Sequence, residues 1–441
     1  MIDRREFLGK AAATAAALTA TTAKSYARIL GSNGRVNFAV IGLRSRAFAH
    51  LAALHANKSS AQLITAADVD SRYLEKFCSE ANSKTGSSPK AEKDFRNALA
   101  NKDVDAITIA TPDHWHAPMG ILGMQAGKHV YVEKPCAYNV QEGVWLVETQ
   151  KKTGKLCQMG SQRRSSKPVI EAIEKLRSGV IGRPYWAETW YATARQPIGV
   201  GKPIPVPETL DWDLWQGPAP RQAYTDNVHP YNWHWFRKWG TGETLNNATH
   251  EVDVAVWALG VGLPQRVTAV GGRYQTKDDW QFYDNLDVAF EYPDAMITWK
   301  GSCISGKKTY GRDRGVAVHG TKGTMVIDIG EWEVYDEKDH MIDSSAKAVK
   351  AAAAPSSDRA GIDVHTDQHF GNFIGAIRNG EPLHQPVAQG NISVTSLHFA
   401  NIAYFTKRSL NIDGSGMIIG DKEAQGMTKR AEYAKGFEPK V

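Results

Sequence analysis

Three clusters in this 441-residue sequence combine residue types and spacings that could do chemistry. The first is Ile41-Gly42-Leu43-Arg44-Ser45-Arg46-Ala47-Phe48, at the end of a short apolar run. A dinucleotide-binding turn places glycine at three points, here 42, 44 and 47. They serve a tight turn, close backbone approach to a pyrophosphate, and helix packing. Gly42 meets the first, Ala47 is an accepted substitute at the third, and Arg44 puts a long side chain at the second. Arg44 is therefore expected to reach phosphate or ribose itself, with donors from Leu43, Ser45 and Arg46 at the N-terminus of the next helix. Asp68 ends a second apolar run. A carboxylate there accepts both adenosine ribose hydroxyls and repels a 2′-phosphate, so it favours NAD over NADP. Arg44 and Arg72 are available to soften that preference.

The second cluster is Asn246, His250 and Asp253, whose spacings of four and three put them on one face of a single helix. Asp253 would orient the imidazole or bind a substrate hydroxyl, and Asn246 hydrogen-bonds without titrating. The third runs from Tyr231 to Trp239 and is joined by Gln162-Arg163-Arg164. Aromatic faces that cover the C–H side of a ring, set beside planar hydrogen-bonders, are the makeup of a sugar site, which singles out Trp235, Trp239, Gln162 and Arg163. Tyr310 and Arg312 are further candidates. The cysteines, Cys78, Cys136, Cys157 and Cys303, form no CxxC pair, so neither a metal site nor a disulfide framework is indicated.

These clusters must be held by elements. Strand-like runs at 36–41, 63–69, 106–110, 129–132 and 156–159 alternate with helix-length stretches, the pattern of βαβ units on a parallel sheet. Residues 35–160 therefore read as a Rossmann dinucleotide-binding domain. Beyond Gly179 strand candidates follow one another between 184 and 335 with a Pro/Gly/Trp-rich stretch between them, which predicts a largely antiparallel sheet. The stretch 346–360 reads as a loop, and helices at 366–378 and 391–408 close a second domain spanning 161–441, the latter expected to pack back on the first domain.

Composition narrows the class. With 42% hydrophobic and 23% charged residues the chain is globular, and its net charge of +6 is spread out, which excludes a basic nucleic-acid patch. The long uncharged stretch at 11–23 is alanine and threonine behind Arg4-Arg5, the layout of a twin-arginine export signal, with removal expected after Ala27. No integral membrane segment is expected after that removal, and the mature protein is expected to be periplasmic or secreted. Export in the folded state suits a preloaded, tightly held cofactor.

Two further junctions carry a resemblance. Ala110-Thr111-Pro112-Asp113-His114-Trp115-His116 and Tyr131-Val132-Glu133-Lys134-Pro135 follow successive strands, and Gly242 to Asp253 contains His250-Glu251-Val252-Asp253. In this order the motifs resemble the Gfo/Idh/MocA family of glucose-fructose oxidoreductase and inositol dehydrogenase. The resemblance implies a Rossmann domain followed by an α/β domain on a large open, mainly antiparallel sheet whose face serves as a homo-oligomer interface, in a dimer or tetramer. It also implies a nicotinamide cofactor contacted by Thr111, Pro112, His116, Glu133 and Lys134, and a sugar or polyol substrate. Lys134 then lies near the reacting hydroxyl and His250 is the acid/base, tasks that hydride removal from a secondary alcohol requires. Many members carry aspartate where this chain has Asn246. An NAD-dependent glycoside hydrolase working by transient internal oxidation, and a non-catalytic sugar-binding protein, are the alternatives.

Overall fold

The computed structural model describes residues 34–275, 277–345 and 364–441. The expected export segment and the 346–360 loop lie outside them. The first sheet contains β1 (Val36–Ile41), β2 (Ala61–Ala67), β3 (Lys90–Glu92), β4 (Ala106–Ile109), β5 (His129–Val132) and β6 (Cys157–Met159), all parallel in the order β3-β2-β1-β4-β5-β6. That is the Rossmann order, with the switch point between β1 and β4. Every residue of β1 is buried, as a central parallel strand covered on both faces requires. The connecting helices are α1 (Ser45–Ala56), α2 (Ser71–Thr85), α3 (Phe95–Ala100), α4 (His116–Gln125) and α5 (Val140–Thr153). Asp70, Asp94 and Asn139 start α2, α3 and α5 by accepting a backbone N–H two or three residues on, and Gly86 and Gly154 end α2 and α5 in the left-handed region.

After α6 (Lys167–Arg177) the second domain lays down β7 (Pro184–Ala192), a strap containing the short α7 (Trp212–Gln216), and α8 (Thr249–Leu259). Next come β8 (Arg266–Gly272), β9 (Asn285–Glu291), β10 (Met296–Ser302), β11 (Arg314–Gly320), β12 (Gly323–Ile327), β13 (Trp332–Tyr335) and β14 (Met341–Ser344). Helices α9 (Val364–Asn379) and α10 (Val387–Thr406) follow, then β15 (Leu410–Ile412) and β16 (Ile418–Ile419). The ten strands form one sheet in the order β14-β13-β12-β11-β7-β10-β9-β8-β15-β16, antiparallel except for β7 against β10. Residues of β9 and β10 alternate between buried and accessible, so one face packs on helices and the other is open.

Both closing helices return to the first domain, where only the second was expected to. Phe370 of α9 lies 4.3 Å, centroid to centroid, from Tyr131 of β5 and 6.4 Å from Phe38 of β1, inside the Rossmann core. Helix α10 packs along α5 and β8.

Asp253 stands one turn from His250 on α8, but its carboxylate is taken up by this packing and does not line the cleft, which corrects the expected role. Its buried carboxylate takes two hydrogen bonds from Arg164, at 2.7 and 3.0 Å, and one each from Gln385 (2.7 Å) and Ser393 (2.9 Å). Three segments are thereby pinned to α8. Removing one partner of a buried ion pair strands the other charge, so Asp253→Ala is expected to lower the free energy of unfolding by about 3–5 kcal/mol. Urea denaturation checks this, and an unchanged midpoint would refute the clamp.

Candidate active site

A cleft enclosing about 1320 Å³, counted to its mouth, runs along the carboxyl ends of β1, β2, β4 and β5 and is covered by the strap and the start of α8. Its floor is the β1–α1 turn. Gly42 has φ +81°, and a Cβ there would stand 2.7 Å from the Thr111 nitrogen, so the turn is pressed against the next strand end and only glycine fits. Arg44 is extended at φ −87°, a conformation that needs no glycine, and its guanidinium lies 5.3 Å from the centroid of the Tyr231 ring on the strap. The departure from the three-glycine turn thus becomes a contact between domains.

Asp68 accepts the Leu43 N–H at 2.6 Å and the Asp70 N–H at 2.9 Å. Burial pushes its carboxyl up to about 6 against those donors. Glu133 is different. Burial raises it, but Arg46 at 2.7 Å and His50 at 2.9 Å outweigh burial and hold it well below the usual carboxylate range. A Cβ on Gly160 would meet that carboxylate at 2.9 Å, which explains this glycine.

The strap is stitched to the strand end that carries Asp68. Ser71 donates its N–H to the Thr209 carbonyl at 2.9 Å and Asp211 to the Val69 carbonyl at 3.0 Å. On the far side of the cleft Asp113 accepts from the Thr241 hydroxyl at 2.5 Å, and the His116 ring bridges the carbonyls of Thr111 and Pro135 at 2.8 and 2.6 Å.

Lys134 crosses between domains. Its Nζ donates to the Asn246 backbone carbonyl at 2.5 Å, and the side-chain Oδ1 lies at 3.3 Å. Asn246 sits in a π turn, Thr244–Ala248, ahead of α8, and this wider turn presents the carbonyl to a side-chain donor. Two buried atoms here have no hydrogen-bond partner among the described residues, Asn246 Nδ2 and His250 Nδ1. Burial lowers the His250 pKa well below its ordinary value, and the charges of Lys134, Arg314, Arg163 and Arg46 push it the same way. The imidazole is therefore neutral, with a nitrogen left for a ligand.

The cleft gathers Gly42, Leu43, Arg44, Ser45, Arg46, Asp68, Thr111, Pro112, His116, Glu133, Lys134, Gln162, Asn246 and His250. It does not gather the others. Trp235 is stacked at 3.9 Å on Trp280 in the main core, and Trp239 is fully buried edge-on against Trp212 and Trp215 in the strap's own core. Arg163 is buried 2.9 Å from Glu251. Tyr310 and Arg312 face Trp190, Glu188, Glu331 and Glu333 on the sheet. The aromatic wall comes instead from Trp215, Tyr231 and Trp233. Tyr231 and Trp233 stand in the stretch singled out by composition, whereas Lys93 and His229 in the lining carry no sequence signal.

Residues 36–161 match the family description "Oxidoreductase family, NAD-binding Rossmann fold", and residues 169–326 match the "GFO/IDH/MocA C-terminal domain". The chain belongs to the GFO/IDH/MocA oxidoreductase family. Within the family's curated proteins it is 25% identical over 296 residues to scyllo-inositol 2-dehydrogenase (NAD(+)) of Bacillus subtilis, covering 66% of this chain and 74% of that one. It is 28% identical over 211 residues to a glycosyl hydrolase family 109 protein of Shewanella putrefaciens. That match covers 43% of this chain and 46% of the relative, so the chain spans about half the length of such relatives. Among solved structures, levoglucosan dehydrogenase in complex with NADH and levoglucosan superposes with a TM-score of 0.65 at 18% identity, over 86% of this chain and 99% of that one. The aldose-aldose oxidoreductase of Caulobacter crescentus does so at 0.64 and 18%, over 86% and 100%. Both share the fold.

Protonation of Asp68 removes an acceptor that ribose hydroxyls need. The dissociation constant for NAD is expected to rise as pH falls through about 6, approaching tenfold per unit below it. Titrations between pH 7.5 and 5 check this, and Asp68→Asn is expected to flatten the dependence.

Proposed function

We propose that this protein is an exported, NAD-dependent oxidoreductase that transfers hydride between a tightly held nicotinamide cofactor and a hydroxyl of a sugar, polyol or glycoside. The observation that carries this reading is the convergence of Lys134, Asn246 and His250, from two domains, in the cleft that also holds the Gly42 turn and Asp68. The residues suit a dinucleotide: the Gly42 turn leaves no room for a Cβ, the buried Thr111 hydroxyl has no partner among the described residues, and the Asp68 carboxylate at the end of β2 supports a role on ribose hydroxyls. Asp68 supports NAD over NADP, since a 2′-phosphate beside a carboxylate is repelled.

Bound nicotinamide supplies the hydride acceptor. The protein's part is to hold the alcohol and receive its proton. His250, which burial first and then the neighbouring cations keep neutral, is the group that accepts the hydroxyl proton. Lys134 Nζ, anchored on the Asn246 carbonyl, is the donor that steadies negative charge on the substrate oxygen. Asn246 Nδ2, without a partner among the described residues, is a second donor where many relatives carry a titrating aspartate. Gln162 adds a planar hydrogen-bonder, and Tyr231 and Trp233 supply apolar ring faces.

Relatives named for inositol, levoglucosan and aldoses support the substrate class. Arg4-Arg5 and the uncharged run behind them support export, and the stitched strap supports cofactor retention. The open sheet face, with exposed Val270 and Met341, supports a homodimer or homotetramer.

The near-ultraviolet spectrum of protein from Arg28 onward, loaded with NAD, tests the reading before and after sugars and glycosides are added. A lasting reduced-nicotinamide band is the expected result. Aglycone release without a lasting band would replace the reading by an internal-redox glycosidase. Lys134→Ala and His250→Ala are each expected to slow cofactor reduction by about 10²-fold or more while changing NAD affinity by less than about threefold, since removing a positioned acid or base costs that much. Full activity in either variant would take that residue out of its role.

A further inference from the structure

Back to back with the cofactor cleft lies a second cavity, of about 1900 Å³ counted to its mouth, among the start of α5, the segment 236–241, α10 and the segment 426–432. The shared wall is thin. Trp239 faces this cavity while its ring meets Trp215 of the cofactor cleft at 5.4 Å, and Thr241 faces it while its hydroxyl holds Asp113.

The charge in the walls is one-sided. Arg237, Lys238, Lys429 and Arg430 line it against a single carboxylate, Glu432. Arg430 is paired with Glu142 at 3.1 Å, but Arg237, Lys238 and Lys429 have no ion-pair partner among the described residues. The Arg237 guanidinium lies flat on Phe405, 4.0 Å from the ring centroid, which holds it in place and leaves its N–H edge available. Deeper in the cavity wall two buried donors have no acceptor, Trp239 Nε1 and Asn139 Nδ2, in residues 0% and 6% exposed. A buried donor without a partner costs free energy that a bound acceptor recovers. Phe282, Phe405 and Ile402 supply an apolar side.

We propose that this cavity is a second ligand site, distinct from the cofactor cleft, for a sugar-sized organic anion. Its carboxylate or phosphate meets Arg237 and Lys429, and its hydroxyl or carbonyl oxygens accept from Trp239 and Asn139. A neutral sugar would leave the cations unpaired and gains less from the site.

The test is calorimetry on the NAD-saturated protein with D-glucuronate and D-glucose 6-phosphate as anions and D-glucose as the neutral control. Saturable binding of at least one anion is expected, weakened at least tenfold in the double variant Arg237→Gln/Lys429→Gln. Both substituted side chains are exposed, so cofactor affinity and catalytic activity are expected to stay at wild-type values. Trp239→Phe keeps an aromatic six-membered ring and removes the N–H, and is expected to weaken the anion severalfold. The better anion identifies the charge carrier. No saturable binding of either anion would overturn the proposal, and so would equal affinity in the double variant. Loss of anion binding in His250→Ala with none in the double variant would place the anion in the cofactor cleft and overturn it too.

Discussion

Buried charge in the seam between the two sheets governs this structure. Glu133 with Arg46 and His50, Arg164 with Asp253, Arg163 and Arg314 with Glu251, and Arg195 with Glu243 all lie where water is largely excluded. Such pairs do not repay their desolvation unless every lone pair and proton is met, so their geometry is tightly prescribed. That prescription carries to the cleft. Glu133 is fixed by two partners and Lys134 is its chain neighbour; Glu243 is gripped by Arg195 and precedes the π turn that presents Asn246. The two residues that meet across the cleft thus each follow an anchored carboxylate by no more than three residues.

The same seam separates structural from chemical groups. Asp253 has all its acceptor capacity directed at Arg164, Gln385 and Ser393, and it has nothing left for an imidazole. His250, three residues earlier on the same helix, has a buried nitrogen with no partner. In a folded protein an unmet buried polar atom asks for an explanation, and at the head of a cleft a ligand supplies one.

How much of this was legible in the sequence depended on how local the cause was. The parallel sheet, its glycine turn and Asp68 follow from periodicity and from spacing along one βαβ unit, and they stand where expected. Lys134 and His250 were reached through motif order. Trp235 and Trp239 were misassigned because composition marks a stretch as aromatic without saying which ring faces the cleft; that is set by packing against Trp280, Trp212 and Trp215, distant in sequence. The helical-face argument for Asp253 failed at a different point. Spacing correctly placed it one turn from His250, but the π turn at 244–248 and the facing Arg164 decide which way each side chain is used. Helix α9 illustrates the longest-range case: Phe370 fills the Rossmann core from some 240 residues beyond β5, a closure no local pattern encodes.

The strap adds a constraint on the cofactor site that an open Rossmann domain lacks. Two backbone hydrogen bonds, which together make the isolated bridge between Asp70 and Leu210, join it to the end of β2, and Tyr231 lies against Arg44 at the end of β1. The arginine that replaces the turn's second glycine is thus partnered by a ring of the strap. A glycine at 44 would let a pyrophosphate approach the backbone closely but would leave Tyr231 without its cation. On the proposed reading the exchange makes physical sense: close approach is partly given up for a contact that keeps the strap over the cleft. On that same reading, release of the adenosine end requires parting backbone bonds that lie beyond Asp68, which favours cofactor retention over exchange.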